Sequence, residues 1–289
     1  MTQLDLRPLT PVIGAEVHGV DLSAGLDEAT FDALHAALLE YQVLFAPGQF
    51  LDIPALRAVA SRFGDFDISP ISPKVDGHPD VTEIVSREGG APDIWHFDGS
   101  YIEAPPTASF LSMVRCPPVG GDTLWLNAYL VYESLSAPLR ELVDGLHVVY
   151  DVAVVGKTGS RGEHPLVRIH PETGRKSLYL DPMFSTRVVE LGKDESDALL
   201  TFLRGYINDP RFSCRYHWTP GTFAVWDNRC TLHRVTTDFE GERTVYRVTI
   251  VGEKPVGHEP RWPQFTARRG ASGDADRRNL DPAVTVPGY

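Results

Sequence analysis

Three side chains in this 289-residue chain have the types and the order to hold one metal ion. His96 and Asp98 stand two apart in Trp95-His96-Phe97-Asp98-Gly99-Ser100, and His233 follows far downstream. On a β-strand, residues two apart point to the same face, so an imidazole and a carboxylate at this spacing reach one ion together. His233 would complete a face of two histidines and one carboxylate. That set leaves three coordination positions open, the arrangement in which non-haem Fe(II) takes a co-substrate and O2 side by side.

A His-x-acid step is a weak signal alone. With 10 histidines and 39 acidic residues, about one is expected by chance. The chain has two more, His78-Pro79-Asp80 and His170-Pro171-Glu172. Proline in the middle removes a ladder donor and fixes φ, which assigns both to a turn or strand end. Phe97 imposes no such limit. His233 follows an apolar run at 223–226 that breaks at polar residues, where a histidine on its own reads as a surface loop residue. What changes the balance is the sequel. Arg243 and Arg247 stand four apart in a β-rich run and so share one face. A buried arginine needs an anion. A dicarboxylate co-substrate supplies one through fork pairing, and a structural salt bridge to Asp or Glu supplies one equally well.

The elements that must position these residues are mostly strands. Apolar alternation and Pro/Gly turns predict strands at 81–85, 94–97, 108–114, 123–126, 148–154, 167–170, 177–180, 222–226 and 244–251. Helical spacing predicts helices at 27–41, from 52 to about 63, at 130–142 and at 194–207. The expected fold is mainly β with flanking helices, a double-stranded β-helix or jelly roll. One such domain with helical decoration is expected over 1–252. The Pro- and Arg-containing 253–289 is expected as an extended C-terminal segment packed on that domain or on a partner subunit. The stretch 65–80, rich in Pro, Ser and Gly, is a candidate lid.

Net charge is −12 with no cluster of Lys and Arg, which speaks against nucleic acid as a partner. Arg268, Arg269, Arg277 and Arg278 are interrupted by Asp274 and Asp276. No signal pattern and no run of eighteen apolar residues occurs, so a cytoplasmic protein without membrane association is expected. Cys116, Cys214 and Cys230 include no CxxC pair, which argues against a disulfide framework and a structural zinc site.

Taken together, the motifs resemble the taurine dioxygenase / 2,4-dichlorophenoxyacetate dioxygenase family of Fe(II)- and 2-oxoglutarate-dependent oxygenases. They are Trp95-His96-x-Asp98, Gly120-Gly121-Asp122-Thr123-Leu124-Trp125, His164-Pro165-Leu166-Val167-Arg168, Trp226-Asp227-Asn228-Arg229, His233 and Arg243-x3-Arg247. The resemblance runs from Gly14 to Gly252. It implies that His96, Asp98 and His233 bind iron and that Thr123 and Arg243 hold the distal carboxylate of 2-oxoglutarate. Arg247 would face the substrate's anionic group or the inner carboxylate of the co-substrate. The implied reaction couples oxidative decarboxylation of 2-oxoglutarate to succinate and CO2 with C–H oxidation, chiefly hydroxylation, of a small anionic molecule such as a carboxylate, sulfonate or alkyl sulfate. Gly120-Gly121 is expected to serve backbone conformation and Asp227-Asn228 to tie down the loop before His233.

Departures from the family concern the substrate. Ser69 stands where the taurine enzymes place a sulfonate-binding histidine, and Pro92 where they carry an asparagine. Gly99 and Tyr101 would reshape the pocket floor, and Phe184 is counted with the pocket residues. These differences speak against taurine itself. Desaturation or another oxidative step on an amino-acid or fatty-acid derivative remains an alternative. So do a non-oxidative Zn(II) or Mn(II) isomerase or hydrolase, which would need no Arg243, and a non-catalytic binding module. A homodimer or homotetramer is expected.

Overall fold

In the stretch Val43–Ala46, Val43 and Phe45 face one way and Leu44 and Ala46 the other, and all four are buried. A strand apolar on both faces belongs in the middle of a layered fold. The computed structural model describes residues 4–68, 72–87 and 92–266. They form two compact units, the first from 1–98, 106–127 and 210–253, the second from 99–105, 128–209 and 254 onward.

The first unit begins with β1 (Asp5–Pro8), β2 (Ala15–His18), α1 (Glu28–Tyr41), β3 (Val43–Ala46) and α2 (Ile53–Ala60). It continues through β4 (Phe66–Asp67), β5 (Lys74–Val75), β6 (His78–Arg87), β7 (Ala108–Arg115) and β8 (Thr123–Asn127). The chain then builds the second unit from α3 (Ala128–Glu133), α4 (Ala137–Val143), β9 (His147–Asp151), β10 (Arg161–Pro165), β11 (Val167–Ile169), β12 (Lys176–Leu178), β13 (Ser185–Val188) and α5 (Lys193–Ile207). It returns to the first with β14 (Ser213–Tyr216), β15 (Phe223–Asp227), β16 (Thr231–Val235) and β17 (Glu242–Ile250).

Two sheets make the first unit, one ordered β1-β2-β3-β15-β7-β17-β6-β5 with β4 on β17, the other β14-β8-β16. Leu34, Leu38, Leu56 and Val59 of the two helices cover one face of the large sheet at Phe110, Phe223, Val225 and Val248. The other face packs on the small sheet, with Phe45, Met113, Trp226 and Val245 meeting Trp125, Cys214 and Tyr216. This is the mainly β, helix-flanked jelly-roll arrangement that the strand pattern predicts. In the second unit β9 pairs with β10 and β13, and β11 with β12. Residues 254–266 run along that unit without regular structure. Val256 accepts from Ile169 N at 2.7 Å, Phe265 N donates to Val189 at 3.1 Å, and Arg261 pairs with Glu141 at 3.0 Å.

Three local expectations are corrected. The strand at 94–97 does not form, and His96 makes a single bridge instead. The helix at 130–142 is two, α3 and α4, because Pro138 lacks the N–H that a continuous helix needs and instead sits in the first turn of α4 behind Ser136. In the stretch 65–80, β4 and β5 are each pinned to the large sheet, so its described parts are not a free loop. Ser69 and the arginines at 268–278 lie outside the described residues. Among the described residues no helix is long and apolar enough to cross a membrane. The three cysteines are free.

Candidate active site

His233 lies on β16, opposite Trp125 of β8. His96 reaches it through a two-way backbone bridge, His96 N to His233 O at 3.1 Å and His233 N to His96 O at 3.0 Å. The bridge sets the two imidazoles side by side, ring centroids 4.2 Å apart. Immediately after it the chain turns, so strand alternation is not what brings Asp98 to the histidines. Asn228 does that: its Oδ1 accepts from Asp98 N at 2.8 Å, and its Nδ2 donates to the carbonyls of Asp98 at 2.9 Å and Pro106 at 2.8 Å. One ligand atom from each of His96, Asp98 and His233 falls within 4.8 Å of the others, and all three residues are buried. The proline-centred steps have other work. Asp80 is paired with Arg57 at 2.6 Å, and His170 Nδ1 accepts from the backbone of Glu172 and Thr173.

The protonation states suit a metal. His96 Nδ1 is 2.8 Å from the Ile94 carbonyl, which can only accept, so Nδ1 is the donating nitrogen and Nε2 is the one available to ligate. Burial, joined by the charges of Arg247 and Arg243, holds His233 well below the usual histidine range despite Asp98, so its imidazole is neutral. Its Nε2 stands 4.0 Å from Asp98 Oδ1, and its buried Nδ1 has no hydrogen-bond partner. Burial pushes the Asp98 carboxyl up, but the charge of Arg247 and the hydrogen bond from Ser109 outweigh it and leave a carboxylate. Arg247 Nη1 touches Oδ1 at 2.7 Å, and Ser109 Oγ donates to Oδ2 at 2.7 Å.

A second cluster of side chains follows from the period of β17. Val245 points into the core between the sheets, so Arg243, Arg247 and Thr249 share its face. Arg243 is buried, its Nη2 3.4 Å from Thr123 Oγ1 and its guanidinium 5.8 Å from the centre of the Trp218 ring. Trp218 Nε1 also donates to Thr123 Oγ1, at 2.9 Å. A hydroxyl that accepts twice keeps its own proton to donate. Burial pushes the arginine down to about 10, its Nε has no partner, and among the described residues no carboxylate is ion-paired with it. A cation and an O–H donor side by side fit one end of a dicarboxylate. Gly120 sets the turn into β8. Its φ is +74°, and a Cβ there would lie 2.0 Å from the Asp238 carbonyl.

Arg247, for which the resemblance left two roles, pairs with Asp98. The Pro92 carbonyl accepts from Val235 N at 3.0 Å, beside the end of β16. Gly99 has φ +67° in the turn after Asp98, and Tyr101 stacks edge-on against Phe184 with centroids 4.8 Å apart in the second unit. Asp227, grouped with Asn228 in the motif, chelates Arg229 through both oxygens, while its carbonyl accepts from Cys230 N and Thr231 Oγ1 in the loop before His233. Sequence reasoning missed Ser109 and Trp218. Only the Trp-Asp-Asn run gave a hint of Asn228, and not of its target.

The family model for taurine catabolism dioxygenase TauD, TfdA family, matches residues 5–249. The α-ketoglutarate-dependent sulfate ester dioxygenase of Pseudomonas putida is 36% identical over 290 residues, 93% of this chain and 96% of that protein. An alkylsulfatase of Acinetobacter baylyi is 35% identical over 277 residues, 88% and 87% of the two chains. The crystal structure of a taurine dioxygenase from Burkholderia xenovorans matches with a TM-score of 0.82 at 40% identity, covering 95% of this chain and 98% of that one. A match from residue 5 to residue 249 spans every helix and strand described above to within one residue, and the chain therefore belongs to the TauD, TfdA family and is a dioxygenase that uses Fe(II), 2-oxoglutarate and O2.

Proposed function

We propose that His96, Asp98 and His233 hold the iron, that Thr123 and Arg243 hold the distal carboxylate of 2-oxoglutarate, and that Arg247 faces the anionic group of a small alkyl sulfate ester. The observation that carries this reading is Arg243, a buried cation whose neighbours are a hydroxyl and an indole. A non-oxidative isomerase or hydrolase would have no use for it. The similarity to a sulfate ester dioxygenase and an alkylsulfatase supports the substrate class, with alkyl sulfonates next in line.

When bound, the iron supplies the oxidation in which O2 and 2-oxoglutarate become succinate and CO2 and one oxygen atom enters a substrate C–H bond. The chain's own residues bind and orient. Arg243 and Thr123 fix one end of the co-substrate, so its keto acid has a single direction to point. Arg247 anchors the sulfate, and Trp226, its ring 4.8 Å from that of His233, keeps water from one side of the histidine. Hydroxylation of the carbon that bears the ester oxygen leaves hydroxyl and sulfate on one carbon. That product separates into an aldehyde and inorganic sulfate, the hydroxyl proton being released.

The test is a panel of alkyl sulfates, alkyl sulfonates, phenoxyacids, amino acids and uncharged alcohols of the same chain length, scored for succinate and sulfate together. Equal release of both with a medium-chain alkyl sulfate is expected. Succinate release stimulated only by uncharged compounds would overturn the assignment of Arg247.

Three free thiols suit a reducing cytoplasm, which is where this reading puts the enzyme. Exposed apolar side chains at Phe202, Val256, Trp262 and Phe265 support a homodimer or homotetramer, checked by sedimentation. The described part of the C-terminal segment, 253–266, acts in this reading as a strap on an oxygenase domain formed by 1–252, and 267–289 lie outside the described residues.

A further inference from the structure

Arg247 is held on β17 directly opposite Thr82 of β6, and Thr82 is in turn directly opposite Lys74 of β5. Residues directly opposite on antiparallel strands project to the same side of the sheet. The side is known, because Arg247 shares the face of Val245, and Ile84, two residues from Thr82, packs into the same core between the sheets. Lys74, Thr82 and Arg247 therefore form a row across three strands on the inner face, its two ends about 10 Å apart at the backbone.

A lysine on an edge strand ordinarily points to solvent and keeps the edge from pairing. Lys74 sits on such a strand but faces inward and is only partly exposed. Burial lowers its pKa, and the like charge of Arg247 lowers it further against the pull of Asp67 and Asp80. The two cations therefore sense each other. Asp80 is engaged by Arg57 at 2.6 Å, and Asp67 accepts from Thr249 Oγ1 at 3.4 Å. Among the described residues Lys74 has no ion pair or hydrogen bond to an acid. Two long cationic side chains on one face with a buried threonine between them, one of them bonded to Asp98, are complementary to an oxyanion with several equivalent oxygens.

We propose that Lys74 is a second anchor for the substrate's anionic group, its ammonium closing on the oxyanion from the side opposite Arg247. This rests on the reading of Arg247 given above. It makes Lys74 a specificity residue, favouring a multi-oxygen head such as sulfate or sulfonate over a neutral one.

The experiment is an anaerobic titration of the enzyme loaded with Fe(II) and 2-oxoglutarate, following the visible charge-transfer band as an alkyl sulfate, an alkyl sulfonate or a phenoxyacetate is added. The parallel variants are Lys74→Met and Lys74→Arg. The starting band should be the same in all three proteins, which shows that folding and co-substrate binding are intact. The midpoint for the preferred anion should rise about tenfold in Lys74→Met and stay within about threefold in Lys74→Arg. The midpoint for the alcohol of the same chain length should not move. An unchanged midpoint in Lys74→Met overturns the role of Lys74 while leaving that of Arg247 standing. If the unaltered enzyme responds to none of the anions, both assignments fall.

Discussion

Both oxygens of Asp98 are committed, one to Arg247 and the other to Ser109, each at 2.7 Å. A proposed ligand oriented in this way needs no reorganisation when a metal arrives, and losing such an outer partner typically costs about ten- to a hundredfold in metal affinity. Ser109→Ala should weaken Fe(II) binding roughly tenfold in an anaerobic titration. Unaltered affinity would show that the serine only fills space. His96→Ala should abolish the charge-transfer band formed with Fe(II) and 2-oxoglutarate, and a surviving band would displace that histidine from the ligand set. At the second cluster, Arg243→Met should raise KM for 2-oxoglutarate by about a hundredfold, equivalent to losing a charge-assisted hydrogen bond of roughly 3 kcal/mol. Arg243→Lys should recover little, since an ammonium lacks the planar fork. A KM effect on the sulfate ester instead would exchange the roles of the two arginines.

Period two made most of the elements legible. On β17 it put Arg243, Val245, Arg247 and Thr249 on one face and left Tyr246, Val248 and Ile250 on the other, and on the helices Asp27 and Asp52 are N-caps, each accepting from the backbone three residues on. The strand expected at 94–97 failed for a physical reason. Its apolar run is too short to compete with the turn that Asn228 imposes from 130 residues away. Distance along the chain also hid Trp218, 95 residues from Thr123, and Ser109 went unnoticed because a lone serine carries no spacing that points to its partner. Asn228→Ala would leave the N–H of Asp98 and the carbonyls of Asp98 and Pro106 without their partner. Urea unfolding of the metal-free protein should show a loss of roughly 2–4 kcal/mol. A loss below about 0.5 kcal/mol would mean that water replaces the amide, in contrast to the buried clamp described here.

At the scale of the whole molecule, acid should act through a buried histidine of the second unit, His164. Burial lowers His164 to about 4, against the pull of the Ser100 and Ile102 carbonyls that its Nε2 faces at 3.0 and 2.9 Å. The unfolded chain binds this proton near pH 6.5 and the folded chain does not, so stability is complete above 6.5 and is lost as pH falls toward 4. The slope from this group is about 1.4 kcal/mol per pH unit. Urea midpoints at pH 7.5 and 5.0 should therefore converge in His164→Asn relative to the unaltered protein, and parallel behaviour would remove His164 from the account. The proposed metal ligands join the two sheets of the first unit. His233 stands on β16 of the small sheet, while Asp98 is bonded to Ser109 on β7 and Arg247 on β17 of the large one. A divalent ion bound there staples layers that otherwise meet through side-chain packing, and it stabilises the native state by mass action. The chain is thus its own gauge of metal supply: starved of iron, it should be cut faster by a protease, and its lifetime should lengthen as the metal returns.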